Sequence, residues 1–480
     1  MITTIKNIIS KPLGLVLLVF GVLGCTPDLT VTKSPNMGTP ESYDGSLDSA
    51  NTASVNWRDY FRDPYLIALI DTALQNNQEL NITLQEIEIA RNEVQARKGE
   101  YLPSVGVQGG IGADKVGRYT RNGALEANND IKPGKEFPEP LGDFTVGVYA
   151  DWEVDIWRKL RNAKKSAYMD FLSSVEGKNF MVTNIIAEIA TSYYELLALD
   201  NQLAIAKQNI KIQSDALEIV KLQKQAARVT ELAVRRFQAQ VLSTRSLQFV
   251  IQQEIVETEN RINFLLGRYP QPIARDPEVF EDLALEMVDA GIPVQLLENR
   301  PDIRQAEMEL EAAKLDVKVA KANFYPSLGI TAGLGLQAFN PTYLVEAPES
   351  MLYYLAGDLA GPLINRKAIK ATYLNANAKQ IQAVYEYERT ILKAYIEVSN
   401  QLSNIVNLKS SYDLKAQQVQ ALTESIEISN TLFRSARADY MEVLLTQREA
   451  LESRFELIET KMQQMSAKVR VYRALGGGWE

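Results

Sequence analysis

The sequence predicts a mainly α-helical chain with membrane β-strands, built as two structural repeats that each contain a β-hairpin and long coiled-coil helices. Three observations predict this class. Segments recur about 200 residues apart, and each copy changes from a helical period to a two-residue alternation. Each alternating segment is then followed by a proline-free helical stretch that is much longer than an ordinary globular helix.

Composition limits the functions that are open to this chain. It has 480 residues, no histidine, one cysteine and a formal net charge of −9. The lack of histidine excludes the usual Ser–His and Cys–His catalysis and histidine-based zinc sites. A single cysteine excludes an intrachain disulfide, and an acidic balance argues against a nucleic-acid partner. We therefore expect no enzyme, no cofactor and no metal.

The N-terminus has the layout of a secretion signal. Lys6 and Lys11 precede an apolar run, residues 13–23, that is shorter than the roughly 20 residues of a transmembrane helix. The run ends at Val22-Leu23-Gly24-Cys25, which resembles a bacterial lipobox. This pattern predicts a signal peptide over residues 1–24.

Cys25 is the predicted lipidation site. Several acyl chains on one cysteine anchor a protein stably, whereas a single chain binds a membrane only marginally. The alternative is that Cys25 is simply a small apolar residue of the signal. Residues 25–55 are rich in Ser, Thr, Pro, Gly and Asn, which predicts a lipidated N-terminal tether in an extended conformation.

The rest of the chain contains one design twice. The segment Tyr101–Gly106 (YLPSVG) returns as Phe324–Gly329 (FYPSLG), 223 positions later. Both copies also close on Leu-Gly, at positions 266–267 and 475–476. Because each unit is too long for a solenoid repeat, we interpret the pattern as duplication of half a domain. The predicted boundaries are repeat 1 at 56–267, a linker at 268–295 and repeat 2 at 296–476.

Each repeat begins with a helical stretch, at 64–99 and 296–323, and then alternates with period two. The predicted strands cover about 102–118 and 142–156 in repeat 1, and about 325–339 and 351–364 in repeat 2. One face of the alternation is apolar, while the other is small and rich in glycine, as a channel lining would be. A half-buried sheet of a soluble domain is the alternative. We expect four aromatic residues toward strand ends, where membrane girdles lie: Tyr119, Tyr149, Trp152 and Trp157.

Two long helices follow each hairpin. They are predicted at 157–226 and 230–266 in repeat 1, and at 365–435 and 439–475 in repeat 2. The last one shows the seam most clearly, because its apolar residues recur at alternating steps of three and four. Those residues are Leu451, Phe455, Ile458, Met462, Met465, Val469 and Tyr472.

Four membrane strands require partner copies. An open sheet edge is not tolerated in lipid, and four strands are too few to close a barrel. Two copies would give an eight-stranded barrel, which side chains normally fill. Three copies would give twelve strands, the smallest such ring that leaves a passage, and closed cyclic symmetry is the rule for oligomers.

Several motifs together resemble the TolC-like outer membrane factors, and among them the lipidated OprM-like branch. They are Trp57-Arg58-Asp59-Tyr60-Phe61 with Asp63-Pro64, Asn299-Arg300-Pro301-Asp302, Trp152-Glu153-Val154-Asp155-Ile156-Trp157, and Asp439-Tyr440. The resemblance implies a homotrimer with a 12-stranded β-barrel in the outer membrane on a periplasmic α-helical tunnel. It also implies a passive duct without catalytic residues. Such a duct carries small molecules from an inner-membrane efflux pump, through a periplasmic adaptor (membrane fusion protein), to the outside.

The resemblance also points to candidate site residues. The adaptor-docking tips would be Ala227, Arg228, Val229 and Thr230, together with Ala436, Arg437, Ala438 and Asp439. Relatives usually have glycine at the two alanine positions, and alanine enters a left-handed turn only at a cost. The alternative for these residues is a plain helix-turn-helix link.

Glu442 is the predicted tunnel gate, because some relatives close the tunnel with acidic rings at this place. Three copies would set three like charges around one axis, although most helical glutamates are merely solvated. Leu445, one turn further on, is apolar where some relatives have a second acid.

Two other functions remain open at this point. A type I duct for protein or peptide secretion would have the same architecture. A periplasmic coiled-coil adaptor would belong to a different class, and the lipid-facing alternation of residues 104–113 and 144–156 argues against it.

Overall fold

The computed structural model describes residues 33–43, 49–283, 289–362, 364, 366–435 and 437–479. The predicted signal peptide and Cys25 lie outside these residues. The described chain is mainly α-helical, which confirms that part of the predicted fold class. The elements in chain order are α1 (Trp57–Tyr60), α2 (Pro64–Asn76), α3 (Gln78–Tyr101), β1 (Ser104–Asp114), α4 (Arg121–Glu126), β2 (Asp130–Lys132), β3 (Lys135–Glu136), β4 (Leu141–Val154), α5 (Lys159–Gln225), α6 (Glu231–Leu265), α7 (Val279–Asp282), α8 (Leu296–Asn299), α9 (Pro301–Ala322), β5 (Ser327–Ala338), β6 (Met351–Ala360), α10 (Lys367–Arg434) and α11 (Tyr440–Ala474).

The chain divides into two compact units, and each takes segments from both repeats. The strand unit contains Glu88–Leu172 and Met308–Tyr385, together with residues 33 and 34. The helical unit contains Pro35–Ile87, Ser173–Glu307 and Glu386–Glu480. Within the described residues, no helix combines the length and the apolar character needed to cross a bilayer.

The strand unit is built on one antiparallel sheet with the order β1-β4-β5-β6. β1 with β4 and β5 with β6 are the two hairpins, and β4 pairs with β5 to join the two repeats. Both copies of the Pro-Ser motif start a strand, since β1 begins at Ser104 and β5 at Ser327. The register sets Val107, Val148, Leu334 and Tyr353 side by side in one row across all four strands.

Alternation along the strands gives the sheet two unlike faces. The apolar face contains the odd-numbered residues of β1 and β6 and the even-numbered residues of β4 and β5. The glycine face contains the opposite set. Along the row just described, Val107 is 78% exposed, Leu334 58% and Tyr353 82%. Large apolar side chains of this kind are normally buried, so this face lacks its natural cover in a single chain.

Two glycines bring β4 and β5 unusually close on the glycine face. Gly147 and Gly335 are paired across the two strands. A Cβ added to Gly335 would lie 2.6 Å from the Val146 carbonyl oxygen, and one added to Gly147 would lie 2.9 Å from that of Leu334. Any side chain here would meet the backbone of the neighbouring strand, so the spacing of the two strands requires glycine at both positions.

Asp155 joins strand β4 to helix α5. Its buried carboxylate accepts hydrogen bonds from the backbone N–H groups of Leu160 (3.1 Å) and Arg161 (3.0 Å), and so satisfies free donors of the first turn. Trp157 Nε1 donates to the Pro326 carbonyl (2.8 Å) across the two repeats. These contacts explain why the motif from Trp152 to Trp157 occurs at a strand-to-helix passage.

The core of the helical unit lies where α2 packs among the long helices. Ile70, Ile189 and Tyr193 are fully buried members of this cluster. Asp63 caps α2 through the Tyr65 N–H (2.8 Å), and its second oxygen accepts the Tyr193 hydroxyl (2.9 Å). The Asp-Pro motif therefore starts a helix and fixes it to α5 at once.

Each repeat ends on a glycine that packs against the start of its own repeat. Gly267 has φ +66° and Gly476 φ +93°, values that favour glycine. An added Cβ would lie 2.4 Å from the Asn76 carbonyl oxygen in the first case and 2.5 Å from that of Asn299 in the second. In both repeats, the Leu-Gly pair therefore marks the point where the end of the repeat packs against its beginning.

The opening stretches predicted over 64–99 and 296–323 are helical, and each is interrupted once. The first breaks at Asn77, whose side chain donates to the Leu265 carbonyl (2.9 Å) and accepts from the Leu80 N–H (2.9 Å). The second breaks at Arg300, just before Pro301, since a residue before proline avoids the helical conformation. Both breaks lie where the closing glycine of the repeat packs.

The long helices follow the predicted bounds closely, whereas β1 ends at Asp114 and β6 at Ala360, each four residues before the predicted end. The long helices are Lys159–Gln225, Glu231–Leu265, Lys367–Arg434 and Tyr440–Ala474, against predictions of 157–226, 230–266, 365–435 and 439–475. The connection between β1 and β4 has more structure than its polar composition suggested. It folds into α4 and the β2–β3 hairpin, and the Glu139 carboxylate binds Lys115 (2.9 Å) and Arg118 (3.0 Å) at its base.

Part of the predicted tether packs on helix α10. In the strand unit, the Gln380 side chain donates to the Lys33 carbonyl (3.1 Å). In the helical unit, the Asn36 N–H donates to Glu388 (2.9 Å), and the Tyr43 ring stacks on Tyr395 with centroids 5.4 Å apart. The described residues 33–43 belong to no helix or strand, and they are bound to the helix beside them.

Candidate functional site

The first helix tip is a tight turn between α5 and α6. The Ala227 N–H donates to the Lys224 carbonyl (2.9 Å), and the Arg228 N–H donates to that of Gln223 (2.9 Å). Ala227 has φ +50°, so it occupies the left-handed position for which glycine is the usual residue. For an alanine this conformation costs about 1–2 kcal/mol.

The second tip, between α10 and α11, has the same backbone hydrogen bond between residues five positions apart. The Arg437 N–H donates to the Leu432 carbonyl (2.9 Å), as Arg228 does in the first tip. Ala436 lies outside the described residues. Arg437 and Asp439 are exposed, while Ala438 is half-buried like its counterpart Val229.

An apolar cluster holds the tips together behind the turns. Val220 of α5, Phe237 of α6 and Leu444 of α11 are buried in it, and Val229 and Tyr440 pack against it. The tip residues therefore have a defined support, although the turns themselves are exposed.

An ion triplet closes the first tip. Glu231, in the first turn of α6, binds Lys224 at the end of α5 (2.5 Å) and Arg235 one turn on (2.8 Å). The hydrogen bond from Lys224, with the nearby charges of Lys224 and Arg235, lowers the pKa of the Glu231 carboxyl. Glu231 consequently stays ionised and links the two helices across the turn.

Several polar groups of the tips have no partner of their own. Thr230 and Asp439 are the N-cap residues of α6 and α11, but neither side chain makes a capping hydrogen bond. In the part of the chain that the structure describes, the guanidinium groups of Arg228 and Arg437 form no ion pair. Each tip thus presents one cation and one hydrogen-bonding side chain to solvent.

Glu442 lies in the first turn of α11 with its side chain exposed. Its neighbours Val443 and Leu444 are buried, so the helix presents Glu442 and Leu445 on the side opposite the apolar cluster. Among the described residues Glu442 has no ion-pair partner. Each chain contributes one Glu442, so an acidic ring would need several copies of the chain.

The glycine face includes residues that the sequence interpretation placed wrongly or missed. Tyr149 is not at a strand end but in the middle of β4, on the glycine face, because position 149 has the parity of Thr145 and Gly147. Tyr119 lies in the loop after β1, fully exposed. Tyr354 of β6 was not singled out, although it lies on the same face. Only the strand register, which alternation alone does not provide, reveals its neighbours.

Charged side chains cluster at the end of the glycine face where β4 leads into α5. A cavity of about 720 Å³ there is lined by Asp151, Glu153, Asp358 and Lys159, among others. Glu153 is already paired with Lys159 (2.7 Å). Within the described residues, no group of three or more acidic or thiol side chains is placed to hold a metal ion.

Comparison with known proteins identifies the family. The family model described as "Outer membrane efflux protein" matches residues 69–268 and 292–477, which together exceed half of the chain. Each matched segment ends one residue after the closing glycine of its repeat.

Individual relatives match along almost the same extent. The chain is 26% identical to the pyoverdine export outer membrane protein OpmQ of Pseudomonas aeruginosa, over 88% of this chain and 87% of that one. It is 28% identical to the toluene efflux pump outer membrane protein TtgF of Pseudomonas putida, over 89% and 86%. Its fold matches the open state of the Neisseria gonorrhoeae MtrE outer membrane channel with a TM-score of 0.82 at 22% identity, over 94% of this chain and 99% of that one. The resemblance inferred from the motifs is thereby confirmed, and the chain belongs to the outer membrane efflux protein family, as an outer-membrane component of an efflux system.

Proposed function

We propose that three copies of this chain form a passive duct across the outer membrane, with a 12-stranded barrel above a helical tunnel. The observation that carries the proposal is the bare apolar face of the four-stranded sheet. Its side chains are exposed in one chain, while the opposite face is small and rich in glycine. Lipid would cover the first face, and water in the lumen would wet the second.

The edges of the sheet support assembly from several copies. β1 and β6 are the terminal strands, with 11 and 10 residues, which matches the length of strands that cross a bilayer. Their outer N–H and C=O groups would be unsatisfied in lipid, at a cost of several kcal/mol for each group. Pairing β6 of one copy with β1 of the next removes both edges.

The helices offer a second surface for the same assembly. Leu242, Phe249 and Val256 of α6 are exposed and follow one another at steps of seven. Such a heptad stripe is typical of a helix that packs on another helix. We assign it to contacts between neighbouring copies in the tunnel.

The tips are proposed to dock a periplasmic adaptor, which connects the duct to an inner-membrane pump. Arg228 and Arg437 with Thr230 and Asp439 provide a charged, hydrogen-bonding surface at the end of a well-packed support. Replacing both arginines with glutamate should abolish co-purification of the adaptor. Arg245→Glu, on the exposed side of α6 away from the tip, is the matched control.

We assign small molecules as the cargo. Relatives are named for the export of pyoverdine and toluene, and one of 25% identity is the cation efflux protein CusC of Escherichia coli. A peptide secretion duct would share the architecture, so cells that lack this chain should be challenged with both kinds of cargo. Sensitivity to small toxic solutes with normal peptide secretion supports the assignment, and the reverse pattern contradicts it.

Glu442 is proposed to form an acidic ring at the tunnel entrance. In a trimer three carboxylates would face one axis, and their mutual repulsion would favour a bound cation. Glu442→Gln should therefore reduce the preference of the channel for cations. An unaltered preference in Glu442→Gln would remove Glu442 from the gate.

Cys25 is proposed to carry the lipid anchor. Cys25→Ser should abolish incorporation of radiolabelled palmitate while the signal peptide is still recognised. Labelling that persists in this variant would show that the lipid is attached elsewhere.

The first experiment is the native mass of the full chain, extracted in mild detergent from an outer-membrane fraction. A three-chain particle that conducts ions in a planar bilayer supports the proposed duct. A monomer that is released without detergent contradicts it and favours the coiled-coil adaptor.

A further inference from the structure

Two tyrosine rings lie directly on glycines of the neighbouring strand. On the glycine face, a Cβ added to Gly106 would lie 2.6 Å from Cζ of Tyr149. A Cβ added to Gly333 would lie 2.3 Å from Cε1 of Tyr354. Each hairpin therefore contains the same arrangement, with an aromatic ring that occupies the place of a missing side chain.

The register places both pairs in a single row across the sheet. Gly106 is paired with Tyr149, Tyr149 with Gly333, and Gly333 with Tyr354. The two rings thus lie at the same level along the strands. Tyr149 is 37% exposed and Tyr354 50%, so the side of each ring that faces away from the sheet is open.

Backbone conformation does not explain why these two positions are glycine. Neither has a positive φ, unlike Gly267 or Gly476. The small size of the face does not explain them either, because a Cβ added to Gly110, on the same face of β1, would meet nothing within 4 Å. The property that sets Gly106 and Gly333 apart is the ring that lies against each of them.

We propose that Gly106 and Gly333 are seats that hold Tyr149 and Tyr354 flat against the inner wall, and that this arrangement keeps the two rings out of the bore of the barrel. This inference rests on the proposed trimeric duct, in which six rings would line one level of the lumen. A methyl group on either glycine would displace the ring. Since backbone lies behind the ring, it can move only into the lumen and narrow the passage.

The test compares two sets of glycine variants in the full-length protein reconstituted into planar bilayers. Gly106→Ala with Gly333→Ala should lower single-channel conductance. It should also lower the size of polyethylene glycol that enters the lumen from the side of the loops. Gly110→Ala adds the same methyl group to open space on the same face, so it should behave as the wild type.

Removing the two tyrosine rings tests whether the glycines keep the rings out of the lumen or only contact them. Tyr149→Ala with Tyr354→Ala should restore conductance and polymer access when added to the double alanine variant. In the wild-type background the same pair should change both quantities little, because flat rings already leave the lumen open. A large increase in that background would mean that the rings project into the lumen, and it would overturn the inference even if the glycine variants failed to assemble.

Different results would contradict the proposed duct and the proposed seats. A wild-type protein that forms no channel contradicts the proposed duct. A wild-type channel whose conductance and polymer access are unchanged by Gly106→Ala with Gly333→Ala, in trimers that remain intact on gels, overturns the seats alone.

Discussion

Single residues in unfavourable backbone conformations mark the two ends of helix α5. Arg158, just before the helix, has φ +59°, and Ala227, just after it, has φ +50°. A residue with a Cβ occupies this region at a cost of about 1–2 kcal/mol. Such strain persists where the surroundings hold it, here through the Asp155 cap and the apolar cluster of the tip.

Ala227→Gly should therefore stabilise the first tip by up to about 1 kcal/mol, because glycine enters the left-handed region without a Cβ clash. Slower amide hydrogen exchange at Arg228 and Val229 would report the change. Ala226→Gly, at the adjacent position outside that region, should not slow exchange. Faster exchange in Ala227→Gly would contradict this account of the strain.

Arg300 is the residue whose loss should cost most. It is buried and donates to Asp302 (2.9 and 2.7 Å), Glu397 (2.9 Å) and the Ala474 carbonyl (2.9 Å). Burial opposes its charge, but the hydrogen bonds and charges of Asp302 and Glu397 outweigh this effect and raise the pKa of the guanidinium.

Arg300→Met should destabilise the fold by about 3–5 kcal/mol, since two carboxylates would be left without their partner. Thermal unfolding followed by circular dichroism measures the loss. Adding Asp302→Asn and Glu397→Gln should recover part of it. A triple variant no more stable than Arg300→Met alone would mean that packing, and not charge, makes Arg300 important.

Glu139 makes the stability of the connection between β1 and β4 depend on pH. The hydrogen bonds from Lys115 and Arg118 lower the pKa of its carboxyl below 4.5. A carboxyl whose pKa is lower in the folded state stabilises that state fully above its unfolded pKa, and this contribution is lost as the pH falls through the folded value. Limited proteolysis of the loop should accelerate only below about pH 4.5. In Glu139→Gln the loop should be cleaved faster at neutral pH, and this acid step should disappear.

At the scale of elements, the seam between β4 and β5 depends on Gly335. Gly335→Ala would place a methyl group against the Val146 carbonyl oxygen, which is backbone and cannot move aside. We expect the four-stranded sheet to open there, with loss of trimers on unheated gels. Gly110→Ala is again the control, and trimers that survive Gly335→Ala would show that the seam tolerates a wider spacing.

Elements were predictable wherever a local pattern determined them. Proline followed by serine marks both strand starts, and heptad patterns mark the long helices to within one or two residues. Long-range contacts determined the rest. Asn77 breaks a helix because its side chain reaches Leu265, nearly two hundred positions away, and no local signal announces that contact.

For Tyr149, a local argument gives the face of the sheet but not the neighbours across it. Tyr149 was assigned to a membrane girdle because aromatic residues collect at strand ends. Parity along β4 places it with glycines instead, and the register then brings Gly106 under its ring. The candidate docking tips stay a prediction: the family resemblance supplied them, and the structure shows only that their described residues lie at the turns between the long helices.

For the whole molecule, the decisive question is which face of the sheet meets lipid. Val107 and Gln108 are neighbours in the middle of β1 and point to opposite faces. If the apolar face contacts lipid, Val107→Arg places a charge near the bilayer midplane at a cost of about 2–4 kcal/mol, whereas Gln108→Arg places the same charge in a water-filled lumen at little cost. Val107→Arg should therefore be lost from the outer-membrane fraction and accumulate as unassembled chain, while Gln108→Arg should assemble and alter ion selectivity. Equal assembly of the two variants would mean that neither face contacts lipid. Loss of Gln108→Arg alone would mean that the glycine face contacts lipid.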